Sequence, residues 1–66
     1  NPSSNYVFWS DSRIENIKLF NIEGRVQEIF IDHKSRKIDI SKLTPGLYFI
    51  RFNLQSSLLT KKLIVK

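Results

Sequence analysis

The chain has 66 residues, 11 basic and 6 acidic side chains and a formal net charge of +5, so residues 1–66 have room for a single domain and none for a second core. A chain this short buries only about 60% of the surface its unfolded form exposes. With no cysteine it has no disulfide, zinc–thiolate site or thiol nucleophile.

The first elements are short and β-like. "YVFW" (6–9) is an aromatic run between Asn/Ser clusters, and "IENIKLFNI" (14–22) sets Ile17 and Leu19 on one face with Lys18 and Phe20 on the other, as a period of two requires. "NIEGR" (21–25) reads as a type I turn closed by a glycine bulge: Asn21 bonds its own backbone onward and Gly24 takes a positive φ. That turn predicts a hairpin with "RVQEIFI" (25–31), which starts as an alternation and ends as an apolar run.

The later elements are longer. "KIDIS" (37–41) puts Ile38 and Ile40 together. "TPG" (44–46) gives Pro45 the fixed φ of a second turn position and Gly46 the positive φ of a third. In "LYFIRFNL" (47–54), Tyr48, Ile50, Phe52 and Leu54 form the apolar row, because a one-residue slip would bury Arg51. Tyr48 follows the turn directly, so its buried ring can send the hydroxyl back to a nearby backbone group. "QSS" (55–57) is a weaker turn, and "LLTKKLIV" (58–65) ends the series. Six such runs joined by turn residues, with no helical period sustained for ten residues, predict an antiparallel sandwich or barrel.

Charge is unevenly placed. Residues 1–33 hold three basic and five acidic groups, net −2, whereas residues 34–66 hold eight basic and one acidic, net +7. A basic half attracts acidic partners, although on a small β-domain lysines more often serve solubility. No stretch has the 18 apolar residues of a membrane-crossing helix. "NPSSNYVFWSDS" lacks the basic and apolar regions of a secretory signal peptide, so an exported protein would take its signal from outside this chain.

Catalytic patterns are missing. His33 stands beside Asp32 in a polar turn, where neighbouring strand residues point to opposite faces and do not make an acid/base pair. The scattered carboxylates form no calcium loop, the eight serines no nucleophile elbow, and the two glycines no phosphate loop. Phe49 and Arg51, with Lys61 and Lys62 on a later strand, are too sparse a set for a single-stranded nucleic-acid platform. The sequence therefore predicts no enzyme, no cofactor, no metal and no nucleic-acid partner.

Four pieces occur in order: "NPSSN" (1–5), "IKLFNIEGRV" (17–26), "IDISKLTPGLYFIRF" (38–52) and "TKKLIVK" (60–66). Together they resemble the type A C-terminal sorting domain of the bacterial type IX secretion system. Positions matching that pattern are Asn1, Pro2, Asn21, Gly24, Arg25, Asp39, Leu43, Gly46, Tyr48 and the terminal lysines; Pro45 completes the turn. Asn21 stands where Asp is common in the family.

The resemblance implies an immunoglobulin-like antiparallel β-sandwich of about seven short strands, following a cargo domain in the parent protein. It also implies export through the periplasm to the cell surface of a Gram-negative Bacteroidetes cell. The implied partners are the outer-membrane receptor or shuttle proteins of the secretion machinery and a sortase-like peptidase that removes the domain. No direct membrane insertion follows, and the domain is expected to be a monomer or weak dimer.

On that reading the terminal strand is the handle: Lys61, Lys62, Leu63, Ile64, Val65 and Lys66. Leu59, Lys61, Leu63 and Val65 lie on one face, with Leu58, Thr60, Lys62, Ile64 and Lys66 on the other, so each row mixes leucine-like stems with ammonium groups kept in water. Such lysines also discourage edge-to-edge aggregation. The competing reading is a plain immunoglobulin-like or fibronectin-like accessory module, in which exposed Trp9, Phe20 and Phe49 stack on sugars or fill a partner's pocket. A parent gene continuing past Lys66 would exclude a terminal signal.

Overall fold

The computed structural model describes residues 6–66; Asn1 and Pro2 of the motif lie outside the described residues. Seven strands follow in order: β1 (Tyr6–Phe8), β2 (Ile14–Asn21), β3 (Val26–Gln27), β4 (Phe30–Asp32), β5 (Lys37–Asp39), β6 (Gly46–Leu54) and β7 (Ser57–Val65). They make two antiparallel sheets, one ordered β1-β5-β4 and the other β3-β2-β6-β7. The immunoglobulin-like sandwich expected from the sequence is the fold the chain adopts.

The core lies between the sheets. Leu19 is fully buried, joined by Ile17, Ile38, Ile40, Tyr48, Phe52 and Val65. On the smaller sheet, Val7, Ile38 and Ile31 stand opposite one another across three strands. On the larger one, the rows are contributed mainly by β2 and β6. Each large apolar side chain removed from water in this way contributes about 1.5–3 kcal/mol, and in a domain of this size few such contributions separate folded from unfolded chain.

One expected strand proves to be two. The run 25–31 keeps its period of two throughout, with Gln27, Ile29 and Ile31 half-buried and Val26, Glu28 and Phe30 exposed. Its hydrogen-bonding partner changes, however: Val26–Gln27 pair with β2, whereas Phe30–Asp32 pair with β5 on the other sheet. The chain thus crosses between sheets at Glu28-Ile29 and closes that side of the sandwich.

A second departure is a bulge in β2. Register against β6 shifts between Glu15 and Lys18, and Asn16 takes φ +55°. The extra residue reverses the phase of the strand, so Ile14 packs on the same core as Ile17 and Leu19. Asn16 Nδ2 donates to Asn53 Oδ1 at 3.4 Å on the partner strand.

The turns show why the sequence folds locally as it does. Asn21 N–H donates to the Arg25 carbonyl at 2.9 Å and Gly24 N–H to the Asn21 carbonyl at 3.0 Å. The Asn21 Oδ1 accepts from the amides of Glu23 and Arg25, both at 2.9 Å. With Gly24 at φ +81°, this is the expected type I turn with its glycine bulge. The β4–β5 loop is closed by Asp32 Oδ1, which accepts from the amides of Lys34 and Ser35 at 3.1 Å.

The "TPG" turn differs from expectation. The hydrogen-bonded turn falls earlier, where Leu43 N–H donates to the Ile40 carbonyl at 3.1 Å, and Pro45 lies in an open bend. Gly46 is already the first residue of β6, paired with Val65, at φ +154°. Aspartate drives the shift: Asp39 Oδ1 accepts from Ser41 N–H at 2.9 Å and sets the turn that starts at Ile40, ahead of the proline. Between β6 and β7 the loop is only Gln55-Ser56, with Gln55 at φ +57°, the first-position geometry of a type II′ turn where glycine is usual.

Candidate functional site

The terminal strand β7 is nine residues long and pairs with β6 along its whole length, from Leu54↔Ser57 to Gly46↔Val65. Its other edge has no strand partner among the described residues, because β7 ends the order β3-β2-β6-β7. Only Val65 is buried, and Leu63 is half-buried; Leu58, Leu59, Thr60, Lys61, Lys62 and Ile64 are exposed, Ile64 at 67%. Lys61, Lys62 and Lys66 enter no ion pair among the described residues.

Lys61 sits opposite Ile50, on the row that faces the other sheet. An inward row on an edge strand is where apolar side chains belong, and a lysine there blunts pairing with a second copy. Lys62 is on the outer row, opposite Phe49. The outer face of the larger sheet carries Phe20 opposite Phe49, and the Arg51 guanidinium lies 4.6 Å from the Phe20 ring centroid. The aromatic face that an accessory module would offer to a sugar or a base is therefore occupied at Phe20 by a cation.

The motif residues converge on one end of this sheet. Asn21 stands opposite Tyr48, which stands opposite Leu63, and Gly46 is opposite Val65. Tyr48 is buried and its hydroxyl donates to the Thr44 carbonyl at 2.7 Å, with Thr44 Oγ1 at 3.1 Å. The anticipated hydroxyl-to-backbone closure is thus present. Asn21, Gly24, Arg25, Pro45, Gly46 and Tyr48 shape the hairpin and bend that hold the start of β6, and β6 holds the terminal half of β7. Asp39 stands apart, at the end of β5 on the smaller sheet.

Three aspartates cap loops in the same way, and each titrates below the ordinary carboxylate range. The Arg13 side chain, then its backbone amide, holds Asp11 down to about 2; the contacts are Nη2–Oδ2 at 2.9 Å, Nε–Oδ1 at 3.0 Å and N–Oδ1 at 2.9 Å. The Ser35 amide lowers Asp32. The Ser41 hydroxyl and amide lower Asp39. His33 is exposed in the β4–β5 turn, edge-on to Trp9 with ring centroids 6.0 Å apart. Asp32 spends its hydrogen bonds on the turn rather than on His33.

Sequence reasoning missed the open side of the sandwich. Where β1 and β7 face each other no described residues cross between the sheets, and a cleft of about 280 Å³ runs in toward the core, lined by Val7, Trp9, Ile50, Phe52, Leu63 and Lys61 among others. Trp9 is half-buried against the core and its amide donates to the Arg36 carbonyl at 3.0 Å; it is not the free surface ring the sequence suggested. No periodicity in the chain distinguishes a closed sandwich edge from an open one.

The model of the family described as the secretion system C-terminal sorting domain matches residues 1–66. The chain belongs to that family. Neither a curated protein nor a solved structure matches. Members of the family are sorting signals of the type IX secretion system of Bacteroidetes, not enzymes, and a tail of this kind works with that machinery to bring protein to the cell surface or beyond. For a sorting domain the exposed terminal strand is the feature to explain.

Proposed function

We propose that this sorting domain is read through β7, by β-augmentation: a receptor or shuttle protein of the outer-membrane machinery pairs its backbone with the free edge and selects side chains of the segment from Lys61 to Lys66. Backbone bonds along an added strand give affinity, and pockets for alternate side chains give choice. The cargo then crosses from periplasm to cell surface, and a sortase-like peptidase removes the domain. The observation that supports this reading is that, among the described residues, β7 is paired on one side only and exposes Lys61, Lys62 and Ile64.

Deleting residues 60–66 from a cargo fusion is the test. The expected result is cargo held in the periplasm; cargo reaching the surface at the normal level would refute the reading. Charge reversal, Lys61→Glu with Lys62→Glu, separates the electrostatic part: slower export by a folded domain assigns recognition to charge, and unchanged export assigns it to strand shape.

A further inference from the structure

We propose that the cleft between β1 and β7 accepts an added strand from a partner protein. That strand is an extended segment with apolar residues facing the cleft and carboxylates opposite Lys62 and Lys66. The inference rests on β7 being the docking strand and names the chemistry of what docks there.

Four observations carry it. β1 and β7 are both end strands of their sheets, and both line the same cleft, so two backbone edges with no strand partner among the described residues flank one apolar opening. An immunoglobulin-like sandwich closes such a side with a strand or a crossing segment, as residues 28–29 do on the opposite side. Here the floor is apolar, made by Ile17, Ile38, Ile50 and Phe52; all of these but Ile50 are buried, while the rim residues Val7, Trp9 and Leu63 are only half-buried, which leaves apolar surface wet at a cost of about 25 cal/mol per Å². The volume, about 280 Å³, lies just under the range of small-molecule pockets, roughly 300–1,000 Å³, and suits a few side chains projecting from one strand.

Charge selects the occupant. A strand added to β7 places alternate residues inward, over Leu63 and the cleft, and the others outward beside Thr60, Lys62, Ile64 and Lys66. Opposite charges directly across a strand pair stabilise it and like charges destabilise it, so carboxylates belong opposite Lys62 and Lys66. A second copy pairing β7 on β7 is the wrong partner, since it sets lysine-bearing strand against lysine-bearing strand. The five residues that precede β1 in the 66-residue chain, Asn-Pro-Ser-Ser-Asn, include no large apolar side chain. Lys61, at the lip on the inward row, lets its stem cover the incoming apolar residues while its ammonium stays in water.

Trp9 is the chain's single tryptophan and lines the cleft, so its fluorescence reports occupancy directly. The 66-residue chain is titrated with three synthetic peptides of about the length of β7: alternating Val/Asp, alternating Val/Lys and alternating Ser/Asp. Val/Asp is expected to give a saturable Trp9 shift, Val/Lys to bind roughly tenfold or more weaker, and Ser/Asp to leave Trp9 unchanged. No Trp9 shift with Val/Asp, or an equal shift with Ser/Asp or Val/Lys, would overturn the proposal. Val7→Phe fills the cleft from β1 without touching β7. It is expected to keep the β-sheet circular dichroism, to abolish the Trp9 response and to hold a cargo fusion in the periplasm.

Export of the Val7→Phe fusion at the normal level would sink the cleft proposal and leave β7 recognition standing. Export of the 60–66 deletion would sink the latter. If sedimentation instead finds dimers that Val7→Phe dissolves, the occupant is a second copy and the partner proposal is wrong.

Discussion

Strands β6 and β7 have the same length, lie side by side in unbroken register and draw on the same palette of leucine, isoleucine and basic residues. They nevertheless do opposite work. β6 is flanked by β2 and β7 and buries Tyr48 and Phe52; β7 has, among the described residues, a neighbour on one side only and buries Val65 alone. The difference is one of position in the sheet, and it teaches that the fold is held by β2 and β6 while β7 is held by the fold. A terminal strand placed at an edge can display side chains without giving up the core.

Substitutions should break the two strands very differently. Phe52→Ala on β6 is expected to cost about 3–5 kcal/mol, against a total stability of roughly 3–10 kcal/mol for a chain this size. Circular dichroism should find that variant largely unfolded, whereas Lys62→Ala on β7 should stay within about 0.5 kcal/mol of the parent. Tyr48→Phe sharpens the comparison at the point where the strands meet Thr44. Losing the 2.7 Å bond should cost about 1 kcal/mol and lower the melting temperature by roughly 4–8 °C.

Smaller effects concern the loops that hold the strands apart. Gln55→Gly at φ +57° relieves a left-handed residue and should raise stability by up to about 1 kcal/mol, after the entropy that glycine loses on folding, measured by urea unfolding. The weakest effect is on acid stability. Asp11, Asp32 and Asp39 have folded pKa values below their ordinary ones. Their contribution is therefore complete above the unfolded carboxylate value and lost as pH falls through the folded one. For Asp11 the window runs from the ordinary carboxylate value of 3.8 down to about 2. Asp11→Asn should flatten that part of a plot of melting temperature against pH.

Much of this was legible in the chain because the signals are local. Asn21 and Gly24 prescribe their own turn, and the row Tyr48, Ile50, Phe52, Leu54 is set by the penalty for burying Arg51. What was hidden depends on pairing. Residues 26–31 alternate in burial without a break, while their sequence passes from Val-Gln-Glu to the apolar run Ile-Phe-Ile, and neither pattern names the change of partner from β2 to β5. Asn16 is an ordinary polar residue whose bulge exists only against β6. The position of the hydrogen-bonded turn at Ile40–Leu43 follows from Asp39 and Ser41, while the proline-glycine pair that drew attention shapes only the entry to β6. The edge position of β7, and the cleft beside it, arise from strand order, which periodicity does not encode.

The account divides labour between a body that folds and a rim that is read, and one variant tests the division. Lys61→Ser, Lys62→Ser and Ile64→Ser strip three exposed side chains from the terminal half of β7 and leave Val65, the backbone and β6 intact. The measurement is the share of a cargo fusion at the cell surface, taken together with the melting temperature of the domain. A domain that melts close to the parent while its cargo stays in the periplasm is the predicted result; a folded variant whose cargo reaches the surface at the parental level would contradict it.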